Sequence, residues 1–149
     1  MGVKPIPDGY RTVTPYLVSE GAAQVLEFVK QAFGAEEKLR MEQPDGSIGH
    51  AEVVIGDSLV MVGSAGPENP AMPAMIHLYV EDCDATYERA LAAGATSERE
   101  PTDQFYGDRS GGVRDQGGNL WWIATHVEDV PEDEMEKRIE EMRAAQQAG

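Results

Sequence analysis

The sequence predicts a single α+β domain built from two tandem modules. Residues 56–62 (GDSLVMV) resemble residues 117–123 (GGNLWWI), which lie 61 positions further on (117 − 56). A Gly-Ala pair also recurs, at Gly34 and Gly94. The chain of 149 residues is long enough for one self-sufficient core. Each half therefore repeats one unit of a strand, a helix and several short strands, and two units must pack around a shared interior.

The first module is predicted over residues 10–64. Its elements are a strand at Thr12 to Val18, a helix at Ala22 to Phe33, a hairpin of strands at Glu36 to Glu42 and Ile48 to Ile55, and a strand at Ser58 to Gly63. Pro15 cannot donate to a sheet and indicates an edge, a strand end or a bulge. The helix has apolar residues at helical spacing, and Gly34 ends it. Pro44-Asp45-Gly46 suits the hairpin turn.

The second module is predicted over residues 74–126, after a linker at 65–73 that contains three prolines and a glycine. Its elements are a strand at Met75 to Val80, a helix at Cys83 to Ala93, a loop and irregular strand at Phe105 to Arg114, and a strand at Leu120 to Thr125. Asp129 and Pro131 then favour the start of a helix at 131–147. This tail has a narrow apolar stripe of Met135, Ile139 and Met142, which should dock on the domain or on a second subunit.

Charge and cysteine content exclude several classes of function. A net charge of −15 opposes binding to nucleic acid and to membrane surfaces, and favours a neutral or cationic small molecule. The single Cys83 cannot form a disulfide within the chain, and no apolar segment precedes residue 10, so we expect a cytoplasmic protein. Cys83 lies in the acidic run 81–84, which disfavours a reactive thiolate.

Several segments between residues 10 and 130 resemble the vicinal oxygen chelate superfamily, which includes glyoxalases, bleomycin-resistance proteins and extradiol dioxygenases. The segments are Val13-Thr14-Pro15-Tyr16-Leu17, Ile76-His77-Leu78-Tyr79-Val80-Glu81-Asp82, Tyr106-Gly107-Asp108-Arg109, Asp115-Gln116-Gly117-Gly118 and Trp122-Ile123-Ala124-Thr125-His126. The likeness is greatest to the PhnB-like branch. It implies two βαβββ modules that form a curved mixed sheet around a cup-shaped pocket.

The resemblance also implies where a metal would bind. In metal-dependent members, each module supplies one ligand from its first strand and one from its last. The matching positions here are Thr14 and Met75 in the first strands and Met61 and Trp122 in the last strands. None is a histidine or carboxylate, the donors that catalytic Zn, Ni, Fe or Mn sites need. We therefore expect the usual metal site to be absent and no cofactor to be bound.

A displaced metal site is the alternative. His50 and Glu52 share a face of their predicted strand, and with His77 they could form a facial triad that holds Fe(II). Such a triad would make the protein a metal-dependent lyase, isomerase or dioxygenase. The competing interpretation places His50 and Glu52 on a partly solvated hairpin and His77 as a hydrogen-bonded residue in the pocket wall.

Thioether and aromatic side chains are predicted to line the cup, which suits a flat, partly apolar ligand. The candidate ligand-binding residues are Thr14, Tyr16, Met61, Met75, His77, Tyr79, Arg109 and Trp122. Plain core packing remains the alternative for each of them. Arg109 could clamp a carboxylate or phosphonate, or form a local ion pair. Neighbours on a strand face opposite ways, so we expect Trp122 to face the cup and Trp121 to pack under a helix.

Three functions follow from these patterns. The favoured one is a metal-free protein that binds or sequesters a small, partly apolar or cationic molecule, as the resemblance to bleomycin-resistance proteins implies. The second is the metal-dependent enzyme. The third is a scaffold whose dimer surface matters more than its pocket, for which the tail helix is the support. A homodimer is expected, since it would cover strand edges and pocket mouths.

Overall fold

A computed structural model describes residues 2–148, which form eight strands and three helices. The first module contains β1 (Tyr16–Ser19), α1 (Ala22–Phe33), β2 (Glu36–Glu42), β3 (Ile48–Ile55) and β4 (Ser58–Ser64). The second contains β5 (Met75–Tyr79), α2 (Cys83–Ala92), β6 (Thr96–Asp103), β7 (Asp108–Arg114) and β8 (Leu120–His126), and α3 (Glu132–Ala148) follows. The order is βαβββ twice, as predicted.

Each module forms one four-stranded mixed sheet. Sheet one has the strand order β1-β4-β3-β2, and sheet two has the equivalent order β5-β8-β7-β6. In both, the first strand runs parallel to the last and the other pairs are antiparallel. Tyr16 pairs with Met61 in sheet one, and His77 pairs with Trp122 in sheet two. The offset is 61 in both strands (77 − 16 and 122 − 61), which confirms the internal repeat.

The two modules share one core. The helices pack on one face of each sheet, here called the inner face, and α1 also contacts α2. Leu17 and Val62 are fully buried on the inner face of sheet one, where α1 covers them. Trp121 is fully buried on the inner face of sheet two, and its ring centroid lies 5.0 Å from that of Phe33 on α1. Burial of these apolar side chains between the modules is the main stabilising term of the fold.

Two elements differ from the sequence prediction. Strand β1 begins at Tyr16 rather than Thr12, because the segment before Pro15 leaves the sheet. The residues of strand β6, which the βαβββ order requires, were not assigned from the sequence. These residues, TSEREPTD, show no apolar alternation, since β6 is the edge strand of sheet two and most of its side chains are exposed.

The tail helix is held by an arginine as well as by its partly buried apolar stripe. Arg138 donates to the backbone oxygen of Phe105 at 2.9 Å and forms a two-pronged ion pair with Glu128. Met135, Ile139 and Met142 are each partly buried. Among the described residues, no helix is both long and apolar enough to cross a bilayer.

Candidate ligand-binding site

The outer face of sheet two, which points away from the helices, carries four of the predicted ligand-binding residues. Met75, His77 and Tyr79 alternate along β5, and Trp122 lies beside His77 on β8. Met75 is 68% exposed and Tyr79 is 65% exposed. Two large side chains at this level of exposure on β5, beside the partly buried Trp122 on β8, form a surface that binding of a partner or ligand would bury.

The two adjacent tryptophans occupy opposite faces of β8, as the alternation predicted. Trp121 is inaccessible to solvent and donates from Nε1 to Asp115 at 2.8 Å. Asp115 also accepts hydrogen bonds from the backbone and side-chain nitrogens of Asn119. Trp122 is only partly buried and lies on the outer face. Trp121 is thus a structural residue, and Trp122 is available to a ligand.

Trp122 is fixed on three sides by its neighbours. Gly112 on β7 lies under the indole, where a Cβ atom would approach the ring to 2.5 Å, so only glycine leaves room. The indole Nε1 donates to the Met75 sulfur at 3.2 Å. The guanidinium carbon of Arg99 on β6 lies 4.8 Å from the ring centroid, a cation–π contact. Trp122 is therefore held in one orientation.

A polar network lies at the far end of the same outer face. Asp108, which is 2% exposed, accepts from Tyr79 Oη at 2.7 Å and from His126 Nδ1 at 2.8 Å. Burial raises the pKa of Asp108, but the hydrogen bonds from His126 and Tyr79 outweigh it and lower the pKa overall. The pKa of His126 is raised by Asp108 and then by Asp129, 2.7 Å from Nε2. The pairing of His126 with Asp108 was not predicted from the sequence.

The outer face of sheet one is organised differently, because the N-terminal segment lies on it. Tyr10 hydrogen-bonds to Glu52, which raises the pKa of Tyr10 to about 12. His50 bridges from Glu52, 2.9 Å from its Nε2, to the Tyr16 hydroxyl, 3.0 Å from its Nδ1. The hydrogen bonds from Tyr10 and then His50 lower the pKa of Glu52. The polar groups of this face are thus paired within the chain.

Thr14 and Met61 also lie against this N-terminal segment. They line a depression of about 400 Å³ together with Pro5, Ile6, Pro7, Tyr10, Arg11 and Thr12. A separate cleft of about 620 Å³, at the junction of the modules, is bordered by His77 and Tyr79. The predicted cup residues therefore fall into two groups, one on each sheet.

Arg109 does not join the other candidate residues. It lies on the inner side of β7, beside α2, and forms a two-pronged ion pair with Asp84 at 2.8 and 3.0 Å. A further contact of 3.2 Å reaches Asp103. The local ion pair predicted as the alternative for Arg109 is what is found, and these two carboxylates already occupy the guanidinium.

Cys83 begins α2, as predicted, and its thiol is buried. Burial raises the pKa of Cys83, and the hydrogen bond to Asp84 raises it further. A thiol in this state is a poor nucleophile.

Comparison with known proteins identifies the family. The model of the Glyoxalase/Bleomycin resistance protein/Dioxygenase superfamily matches residues 13–123. The chain belongs to this superfamily. Uncharacterized proteins of Mycobacterium bovis and Mycobacterium tuberculosis are each 37% identical to it over 135 residues. Those matches cover 83% of this chain and 89% and 79% of the two relatives, respectively.

Solved structures with the same fold include TioX from Micromonospora sp. ML1, which is 25% identical with a TM-score of 0.67. That match covers 78% of this chain and 99% of TioX. A superfamily protein from Nocardioides is 19% identical with a TM-score of 0.60, covering 86% of this chain and 87% of that one. The second likeness concerns the fold alone.

The four positions at which the superfamily resemblance places metal ligands lie in or beside the first and last strands of the two sheets. Met61 and Trp122 are the equivalent residues of β4 and β8, and Thr14 lies just before β1, whereas Met75 begins β5. The alternative triad is divided, since His50 and Glu52 belong to sheet one and His77 to sheet two. Within residues 2–148, no three histidine, cysteine or acidic side chains are grouped as a metal ion would need.

The sequence did not predict that Arg99 and Asp108 lie on the outer face of sheet two. Arg99 belongs to β6, the strand without apolar alternation, so no pattern assigned it to a face. Asp108 had a usable signal, because it precedes Arg109 by one position and must point to the opposite face of β7.

Proposed function

We propose that this chain binds or sequesters a small, planar, partly apolar molecule on the outer face of sheet two. One observation carries the proposal, the exposed row of Met75, His77 and Tyr79 beside the fixed ring of Trp122. Thioether and aromatic groups adapt to flat apolar ligands, and a few polar groups orient them. Tyr79 and His77, whose ring centroids are 5.0 Å apart, supply both aromatic area and polar atoms.

The surroundings of Trp122 favour one of the two proposed ligand classes, the partly apolar and the cationic. A cationic ligand gains from an aromatic ring by occupying its face. That position is already held by the Arg99 guanidinium, 4.8 Å from the ring centroid. The partly apolar class is therefore the better supported of the two.

Thr14, Tyr16 and Met61 are left outside the proposed ligand surface. The N-terminal segment lines one depression together with Met61 and Thr14, and the Tyr16 hydroxyl is bonded to His50. We propose that these three residues help to hold the N-terminal segment on the outer face of sheet one.

A homodimer is part of the proposal. Strand β5 pairs only with β8 within the described residues, so its other edge has unpaired backbone groups. A second copy that pairs with this edge would cover those backbone groups and leave the row of Met75, His77 and Tyr79 open to the ligand. Sedimentation at micromolar concentration is expected to give a dimer, and a monomer alone would contradict this part. Membership of the PhnB-like branch likewise stays a proposal.

Calorimetric titration with 2-naphthamide, a neutral planar probe, tests the binding surface. Trp122→Ala is expected to weaken binding about tenfold or more, as loss of an aromatic anchor does. Met61→Ala is the matched control, because Met61 occupies the equivalent position of sheet one. An equal or greater loss in Met61→Ala, or no binding to the wild type, would contradict the proposal.

A further inference from the structure

The guanidinium of Arg99 lies on the proposed binding surface without an acidic partner. We propose that the planar ligand carries an anionic group, of the carboxylate type, and that Arg99 pairs with it. This inference rests on the function proposed above and specifies its ligand class.

Local contacts hold the guanidinium in place. Arg99 pairs with Gly112 across β6 and β7, on the same face as Trp122. Its Nη2 donates to the Ser110 backbone oxygen at 2.8 Å and to Ser110 Oγ at 2.6 Å. With Trp122 under it, the group is fixed before any ligand arrives, which reduces the entropic cost of binding.

The donors of Arg99 are only partly used. Its Nε is buried and has no hydrogen-bond partner among the described residues, and both recorded bonds come from Nη2. An unsatisfied buried donor in a native protein calls for a physical explanation. The buried Nε is closed to a ligand, so a bound carboxylate would engage the Nη1 hydrogens, which have no partner within residues 2–148, and would compensate the partly buried charge.

The other arginines of the chain differ in their partners. Arg109, Arg114 and Arg138 each form ion pairs with carboxylates of the chain. Arg89 instead donates to the Ala32 backbone oxygen and the Thr86 hydroxyl. Within residues 2–148, no carboxylate lies within ion-pair distance of Arg99, although the chain has 27 acidic residues. Arg99 therefore presents a local positive charge on an acidic protein.

The net charge of −15 does not oppose this site at short range. Exposed charges more than about 8–10 Å away are largely screened at physiological ionic strength. The contact with one guanidinium then determines the preference, while the distant acids slow the approach of an anion. The planar body of the ligand would lie over Met75 and His77, beside the ring of Trp122.

Three probes of one shape and different charge test the inference by calorimetry on the full-length protein. They are 2-naphthoate, neutral 2-naphthamide and cationic 2-naphthamidine. We expect 2-naphthoate to bind about tenfold or more tightly than the amide, since charged hydrogen bonds to arginine are the strong ones. The amidine should bind most weakly because Arg99 repels it.

Variants then assign the preference to one residue. Arg99→Gln should remove the preference for 2-naphthoate, measured as the ratio of the 2-naphthoate and 2-naphthamide affinities of the same variant. Arg114→Gln is the matched control, because Arg114 lies on the same face but is already paired with Glu98. It should keep the preference. Arg99→Lys keeps the positive charge but loses the planar, two-pronged guanidinium, and should retain part of the preference for 2-naphthoate.

The possible failures are distinguishable. If the amide or the amidine equals or exceeds 2-naphthoate with the wild type, or if Arg99→Gln keeps the preference, the anionic ligand class is wrong while the binding surface stands. If none of the three probes binds, the proposed function is contradicted as well. If Arg99→Gln does not fold, the order of the three probe affinities in the wild type and in Arg99→Lys still tests the anionic ligand class.

Discussion

The two outer faces of this molecule derive from one repeated unit, yet they differ in what covers them. On sheet one, Tyr10 hydrogen-bonds to Glu52, and Gly9 lies close to Leu59. On sheet two, Met75 is 68% exposed and no segment within residues 2–148 seals the face. The repeat thus produces one face that its own chain covers only in part, since Tyr16 there is 45% exposed and Met41 57% exposed, and one face that no described segment covers.

The polar groups of the two faces differ in the same way. His50, Glu52 and Tyr16 satisfy one another on sheet one. On sheet two, the guanidinium of Arg99 has a buried nitrogen without a partner. Buried donors and charges without partners are costly, and proteins tend to keep them at functional sites. This difference supports the proposal that ligand binding belongs to the second module.

The largest effect should come from the two faces of β8. Trp121→Phe replaces a fully buried indole by a smaller phenyl ring, removes its hydrogen bond to Asp115, and should lower the free energy of unfolding by about 2–3 kcal/mol. Trp122→Phe should cost less than about 1 kcal/mol, because that ring is partly exposed. Urea unfolding of both variants measures this. A larger loss in Trp122→Phe would show that the outer face stabilises the fold.

The N-terminal segment offers a smaller effect. Tyr10→Phe removes the hydrogen bond to Glu52 and should lower stability by about 1 kcal/mol. Amide hydrogen exchange should accelerate in residues 5–12, while the affinity of sheet two for 2-naphthamide stays unchanged. Tyr106→Phe, which alters a hydroxyl elsewhere, is the control. An altered affinity in Tyr10→Phe would mean that the two faces are not independent.

A pH dependence distinguishes the polar end of sheet two. Since the pKa of folded His126 is raised above its ordinary 6.5, its stabilisation is fully present below pH 6.5 and is lost as pH rises through the higher folded value. Asp108, with a lowered pKa, loses its contribution only as pH falls below 3.8. His126→Gln should flatten the decline in stability above pH 6.5. An unchanged pH profile in that variant would contradict the pairing with Asp108.

The smallest expected effect concerns metal. Incubation with Zn, Ni, Mn or Fe(II) should leave well under one equivalent bound, because Thr14, Met61, Met75 and Trp122 stand at the expected ligand positions. Elemental analysis after dialysis measures this. Stoichiometric metal that is lost in His77→Ala would instead favour the metal-dependent enzyme, with ligands gathered from both modules.

Much of this architecture was predictable because it follows from local periodicity. The 61-residue repeat gave both modules, and strand alternation assigned Trp121 and Trp122 to opposite faces. Arg99 was not assignable, because register shifts on both sides of it break the alternation along β6. The cover provided by the N-terminal segment was also beyond sequence reasoning, since it depends on contacts between residues far apart in the chain.

The most direct test of the difference between the outer faces is an NMR titration with 2-naphthoate. Resonances of Met75, His77, Arg99 and the Trp122 indole N–H should shift, whereas those of Tyr16, His50 and Met61 should not. Trp121→Phe and Trp122→Phe spectra assign the two indole signals, and the Trp121 signal should move little because that ring is buried. Shifts confined to the outer face of sheet one, or shifts at Trp121 without any at Trp122, would contradict the assignment of ligand binding to the second module.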